Sequence, residues 1–122
     1  MNVLVIEDNE QGLYLVRLLL ESRGHQVFGA RDGPEGIAAA QESAPDVILL
    51  DIQLPHMDGH AVARALRALP SLNSVPIIAV TSYAMGGDRA EALAAGCDAY
   101  IEKPIDPDTF VTQVERVVSA GR

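Results

Sequence analysis

A chain of 122 residues, 48% hydrophobic, has the size of one domain and enough apolar side chains for one packed core. Its net charge of -8 argues against nucleic acid or an anionic membrane as a direct partner, because phosphate backbones and headgroups are bound by basic surface. The lone cysteine, Cys97, excludes an intrachain disulfide and a cysteine metal cage and is expected to be a buried structural thiol. No apolar run approaches the ~20 residues that span a bilayer, so a cytoplasmic protein is expected.

Short β-branched runs alternate with longer stretches of helical period, the pattern of βα units on a parallel sheet, and five such units are predicted. Residues 3–6 form a first strand that delivers Glu7 and Asp8. Asn9 is a good N-cap for a helix that places Leu13, Val16 and Leu20 on one face and ends at Gly24, a favourable left-handed cap. Residues 26–30 are the second strand. Asp32-Gly33-Pro34 then turns into an alanine-rich helix running to about Ser43, with proline suited to the first helical position.

Residues 47–51 are the third strand, and the unbroken run Val47-Ile48-Leu49-Leu50 predicts a central strand covered on both faces before Asp51 is reached. A third helix starts near Gly59 with Val62, Leu66 and Leu69 inward, and Leu72-Asn73-Ser74 reads as a surface loop. Residues 76–80 are the fourth strand, leading to Thr81. Residues 86–95 read as a weakly amphipathic helix stopped by Gly96, with Gly86-Gly87 as a hinge and low local stability. Tyr100-Ile101 belong to a fifth strand that delivers Lys103-Pro104, and Asp106-Pro107 open a last helix with Phe110, Val114 and Val117 on one face.

If these strands are parallel, the groups that end them gather at one edge of the sheet, where open α/β folds bind ligands. Glu7, Asp8 and Asp51 would then form a cluster of three carboxylates, whose mutual repulsion calls for a cation or protons. An oxygen-only ligand set of this kind suits Mg²⁺, which takes one or two carboxylates, several waters and a phosphate oxygen. Asp51 is the candidate nucleophile for an aspartyl phosphate. Lys103, the only lysine, and the Thr81 hydroxyl are the candidate donors to the phosphoryl oxygens, and Ser82 is small enough to leave room beside them.

The motifs Ile6-Glu7-Asp8-Asn9, Leu49-Leu50-Asp51-Ile52-Gln53-Leu54-Pro55 with Met57-Asp58-Gly59, Val80-Thr81-Ser82, and Ala99-Tyr100-Ile101-Glu102-Lys103-Pro104 occur in order at the strand ends. Together they resemble a two-component response-regulator receiver domain, over essentially residues 1–122. The resemblance implies a flavodoxin-like, doubly wound (βα)5 fold with strand order 2-1-3-4-5. It implies phosphorylation of Asp51, ligation of Mg²⁺ by Asp8, Asp51 and the Gln53 carbonyl, a metal water held by Glu7, and phosphoryl contacts from Thr81 and Lys103. It further implies a cis Lys103-Pro104 peptide. Thr81 and Tyr100 become the switch pair that reshapes the surface of helix four, strand five and helix five, though plain packing is an alternative for Tyr100.

The expected phosphoryl donor is a histidine kinase or a histidine phosphotransfer protein, and the output is control of a downstream protein target or onward relay, from a monomer or weak dimer. Stand-alone DivK-type receivers and those attached to hybrid histidine kinases both fit the motifs. A phosphatase reading fails because Gln53 stands where such enzymes carry a second aspartate and no cap insertion is present. A flavin carrier would need a Ser/Thr/Gly-rich phosphate loop where Glu7-Asp8-Asn9-Glu10 stands. A receiver that binds partners without phosphorylation is disfavoured by the intact acidic set. His25, His56 and His60 lack metal-ligand spacing and are expected to be exposed, with His56 and Tyr83 placed to affect phosphate lifetime.

Overall fold

In the computed structural model, which describes residues 1–82 and 88–120, strands and helices alternate as β1 (Asn2–Ile6), α1 (Glu10–Glu21), β2 (Gln26–Ala30), α2 (Gly33–Ser43), β3 (Val47–Asp51), α3 (Gly59–Arg67), β4 (Ile77–Thr81), α4 (Asp88–Ala94), β5 (Ala99–Glu102) and α5 (Phe110–Ala120), with a single 3-10 turn, Pro70–Leu72, before β4. The strands form one parallel sheet in the order β2-β1-β3-β4-β5. This is the expected flavodoxin-like arrangement.

Period-2 alternation along the strands divides the interior in two. Leu4, Ile6, Ile48, Leu50, Ile77 and Ala79 face the side covered by α2, α3 and α4, where Val62, Leu66 and Ala92 meet them. Val3, Val5, Val47, Leu49, Ile78 and Val80 face the opposite side and pack on Val16 and Leu20 of α1 and on Phe110, Val114 and Val118 of α5. Each fully buried Leu, Ile or Phe stabilises the fold by about 1.5–3 kcal/mol relative to exposure, so these two layers hold the sheet in place. Both faces of β1, β3 and β4 are therefore apolar, and polarity is confined to the strand ends.

The helix boundaries follow local chemistry. Asn9 Oδ1 accepts from Gly12 N at 2.9 Å, the expected N-cap of α1. After α1, Gly24 (φ 84) donates to Glu21 O and His25 N to Leu20 O, the hydrogen-bond pair of a left-handed helix cap. Gly96 (φ 112) repeats the pattern after α4, with its N–H on Leu93 O and Cys97 N on Ala92 O. Cys97 is buried as expected, and burial pushes its thiol up to about 11.

Several boundaries and exposures depart from the sequence reading. Asp32 N-caps α2, but Gly33 takes the first helical position and Pro34 the second. Leu72 is core, not surface: the 3-10 turn, closed by Leu72 N on Leu69 O, packs against α2 and α3 and places Leu72 in the core layer on that side. Strand β4 begins and ends one residue later than expected and so includes Thr81. In α5, Phe110 and Val114 are joined on the buried face by Val111 and Val118, with Val117 only half-buried. His60 is buried at 8% exposure between α3 and α4, and His25 is half-buried with Nε2 on Glu115 Oε2. Only His56 is exposed as expected. The expected start of the fourth helix, the Gly86-Gly87 hinge and Tyr83 lie outside the described residues.

Candidate functional site: an acidic pocket at the carboxyl edge of the sheet

Strand register assembles the site. Ile6 pairs with Leu50, so Glu7 and Asp51 emerge side by side, one step beyond that pair. Asp51 pairs with Val80 and Thr81 with Glu102, which brings the last residue of β4 and the start of the Lys103 loop alongside. Strand order reverses direction around β1 and β3, since α1 and α3, the helices that follow these two strands, lie on opposite faces, and that opens a crevice above their ends. A cleft of about 570 Å³ lies there, lined among others by Glu7, Asp8, Asp51, Gln53, Ser82 and Lys103.

Glu7, Asp8 and Asp51 each offer a carboxylate oxygen, and these oxygens lie within 4.8 Å of one another. Glu7 and Asp51 are buried, at 5% and 6% exposure, while Asp8 is exposed. Lys103 Nζ reaches Glu7 Oε1 at 2.5 Å and Asp51 Oδ2 at 3.6 Å. The Lys103-Pro104 peptide is cis, as the resemblance implied. Lys103 N donates to Thr81 O at 2.8 Å, tying the lysine loop to the end of β4.

The electrostatics follow from this crowding. Burial, reinforced by the hydrogen bond and charge of Glu7, pushes the Asp51 carboxyl up to about 7, against the opposing pull of the Gln53 N–H and Lys103. Burial acts on Glu7 in the same sense, but hydrogen bonds with Asp51 and Lys103 outweigh it and hold Glu7 below the usual carboxylate range. Burial would lower the Lys103 ammonium, and the two carboxylates reverse that and raise it. Crowding of the two buried carboxylates thus raises one and lowers the other, and the three carboxylate oxygens at this spacing suit a cation.

Backbone geometry fixes the loop after Asp51. Gln53 N donates to Asp51 Oδ1 at 2.9 Å, holding the carboxylate from the β3 side. Met57 N closes a tight turn onto Pro55 O, with His56 at φ 68, and Asp58 then N-caps α3 through His60 N at 3.0 Å. Gly59 leaves no room for a side chain: a Cβ would stand 2.4 Å from Ile52 Cα. Sequence reasoning found the residues of the pocket but missed two contacts within it, the direct pairing of Lys103 with Glu7 and a hydrogen bond from Ser82 Oγ to Gln53 Oε1 at 2.9 Å. Neither contact has a local signal, because the partners are 96 and 29 residues apart.

Thr81 is buried at 1% exposure at the end of β4, and Tyr100 on β5 is half-buried against the core layer beneath α2, α3 and α4. All the residues expected in the phosphoacceptor pocket thus lie on the same edge of the sheet. Among the described residues, no helix is long and apolar enough to cross a membrane.

Residues 3–115 match the family model described as the response regulator receiver domain. The polar-differentiation response regulator DivK of Brucella anthropi is 40% identical over 114 residues, covering 93% of each chain. The receiver domain of the sensor histidine kinase PA1611 of Pseudomonas aeruginosa, solved with magnesium coordinated in its active-site cleft, superposes with a TM-score of 0.89 at 33% identity, over 97% of each chain. The chemotaxis protein CheY4 of Vibrio cholerae superposes with a TM-score of 0.90 at 30% identity, over 95% of this chain and 97% of that one.

Proposed function

The chain belongs to the response regulator receiver domain family of two-component signalling proteins, and we propose that it works there as a phosphoacceptor switch centred on Asp51. The observation that carries the reading is the Asp51 carboxylate itself. It is buried, grouped with Glu7 and Asp8 within 4.8 Å, and has the ammonium of Lys103 3.6 Å away. A carboxylate so placed is a nucleophile with positive charge already stationed for the group it will carry.

A phosphohistidine of a histidine kinase or histidine phosphotransfer protein is the donor. An Asp51 carboxylate oxygen attacks phosphorus; the new O–P bond forms as the P–N bond to imidazole breaks, and the departing nitrogen keeps that electron pair and takes up a proton. Lys103 and Thr81 donate to the phosphoryl oxygens. Asp8, Asp51 and the Gln53 carbonyl would hold Mg²⁺, with Glu7 holding one of its waters. When bound, the ion supplies positive charge to the phosphoryl oxygens. The oxygen-only donor set fits that ion, and the magnesium in the PA1611 receiver supports the assignment.

The same residues catalyse only this domain's own phosphorylation and dephosphorylation. Thr81 then moves toward the phosphate, Tyr100 repacks, and the surface of α4, β5 and α5 changes its affinity for a downstream protein or passes the phosphate onward. Residues 1–122 act as one receiver domain, a monomer or weak dimer, with a surface charge unsuited to nucleic acid or anionic membrane.

Intact-mass spectrometry after incubation with acetyl phosphate, with and without Mg²⁺, tests the reading. One phosphoryl adduct on the wild type with Mg²⁺, and none on Asp51→Asn, is expected. An adduct retained by Asp51→Asn would move the site elsewhere, and a folded wild type refractory also to a phosphorylated histidine donor would overturn the phosphoacceptor role.

A further inference from the structure

Ser82 and Gln53 belong to loops 29 residues apart and meet at the acidic cleft, where the Ser82 hydroxyl donates to Gln53 Oε1 at 2.9 Å. Both residues line the cleft together with Asp51. The two ends of Gln53 have different partners. Its N–H holds Asp51 Oδ1 at 2.9 Å, and its side chain holds the residue that follows Thr81. Thr81 is buried and its carbonyl accepts from Lys103 N, so the main chain at the end of β4 is anchored just before Ser82. Gln53 thus links the carboxylate to the end of the neighbouring strand through one residue.

A neutral hydroxyl-to-amide hydrogen bond is about half as strong as one to a charged oxygen. A phosphoryl group on Asp51 brings charged oxygens into the cleft that Ser82 lines, and these compete with the amide for the hydroxyl. Resting on the phosphoacceptor reading above, we infer that the Ser82–Gln53 hydrogen bond is a latch across the cleft. It holds the end of β4 to the β3–α3 loop in the unphosphorylated protein and opens when the phosphoryl group is seated. Gln53 is then a positioning residue: its side chain slows phosphoryl uptake by Asp51 through its hold on Ser82, separately from the proposed metal contact of its carbonyl.

The test uses Gln53→Met, which keeps length and loses the acceptor, alone and in Ser82→Ala and Ser82→Thr backgrounds. Both side chains are exposed, so the variants retain the core. Hydrogen exchange without Mg²⁺ or phosphate reads the latch directly. Gln53→Met and Ser82→Ala are each expected to raise exchange in peptides carrying the end of β4 and the β3–α3 loop by about threefold to tenfold, with no further rise in the double variant. Acetyl phosphate uptake with Mg²⁺ is expected to accelerate by about the same factor in Gln53→Met, to gain nothing from that change in the Ser82→Ala background, and to regain the response in the Ser82→Thr background.

Unchanged exchange, or an uptake effect of Gln53→Met that is the same with and without the Ser82 hydroxyl, would overturn the latch. A wild type phosphorylated at the same rate as Gln53→Met would sink the latch alone. A wild type that takes no phosphoryl group from any donor would remove the phosphoacceptor reading, and the latch as a control on uptake with it.

Discussion

Lys103 stands closer to Glu7 than to Asp51, 2.5 Å against 3.6 Å from the nearest carboxylate oxygens, although the two carboxylates are neighbours. Hydrogen bonds with Asp51 and Lys103 hold Glu7 below the usual carboxylate range, while burial and Glu7 push the Asp51 carboxyl up. That division of charge determines how the pocket responds to pH, metal and substitution.

Stability should carry the mark of Asp51. Its folded-state carboxyl is raised to about 7 from an unfolded value of 3.8, so between those values the folded chain binds the extra proton. Stability from this group is present below the unfolded value and is lost as pH rises through the folded one. Asp51→Asn removes the penalty, so in metal-free buffer it should exceed the wild type by on the order of 2 kcal/mol at pH 8 and by nearly nothing at pH 4. Urea unfolding of both proteins at the two values measures it; a difference independent of pH would show that Asp51 is not the protonated group.

Magnesium binding should displace that proton. Above pH 7 the carboxylate is free to ligate, and below it proton and metal compete, so Mg²⁺ affinity should fall by about tenfold per pH unit as pH drops below about 7. Mg²⁺ titrations followed by thermal shift at pH 6 and pH 8 would reveal this, and equal affinities would contradict it.

Lys103→Ala should move two quantities in opposite directions. Loss of a positive charge beside Glu7 and Asp51 should tighten Mg²⁺ binding by about fivefold, given the Coulomb energy of near-surface charges. The same loss should slow phosphoryl uptake or uncouple it from output, because a donor to the phosphoryl oxygens is gone. Metal titration and acetyl phosphate kinetics on one preparation check both, and parallel losses would indicate a damaged fold instead.

Gly59→Ala should disrupt the site through backbone alone. The added Cβ would stand 2.4 Å from Ile52 Cα and 2.9 Å from Asp51 O, contacts with main chain that cannot rotate away. A loss of roughly 1–3 kcal/mol and a clear fall in phosphoryl uptake are expected, measured by urea unfolding and intact mass. Wild-type stability would mean that the start of α3 can shift without cost.

Much of this molecule was legible in the order of its residues. The runs ending at Ile6, Leu50 and Val80 are short, apolar and β-branched, and α/β alternation leaves few ways to arrange them. Asn9, Gly24 and Gly96 mark helix ends through local backbone chemistry, and each holds such a position. Leu72 and His60 were misread because burial depends on what packs over a residue, and nothing near Leu72 in sequence reports that the 3-10 turn packs against α2 and α3.

The sequence by itself determined the five βα units, the polar group at the end of each site strand and the oxygen-rich character of the pocket, because these depend on side-chain period and on chemistry within a few residues. Only the tertiary structure decided that Lys103 pairs with Glu7, that burial raises the Asp51 carboxyl, and that Gln53 is bonded to Ser82. Those outcomes are set by differences of about an ångström in contacts between residues far apart in the chain, and such contacts exist only once strand register and loop geometry have been fixed by packing of the whole sheet.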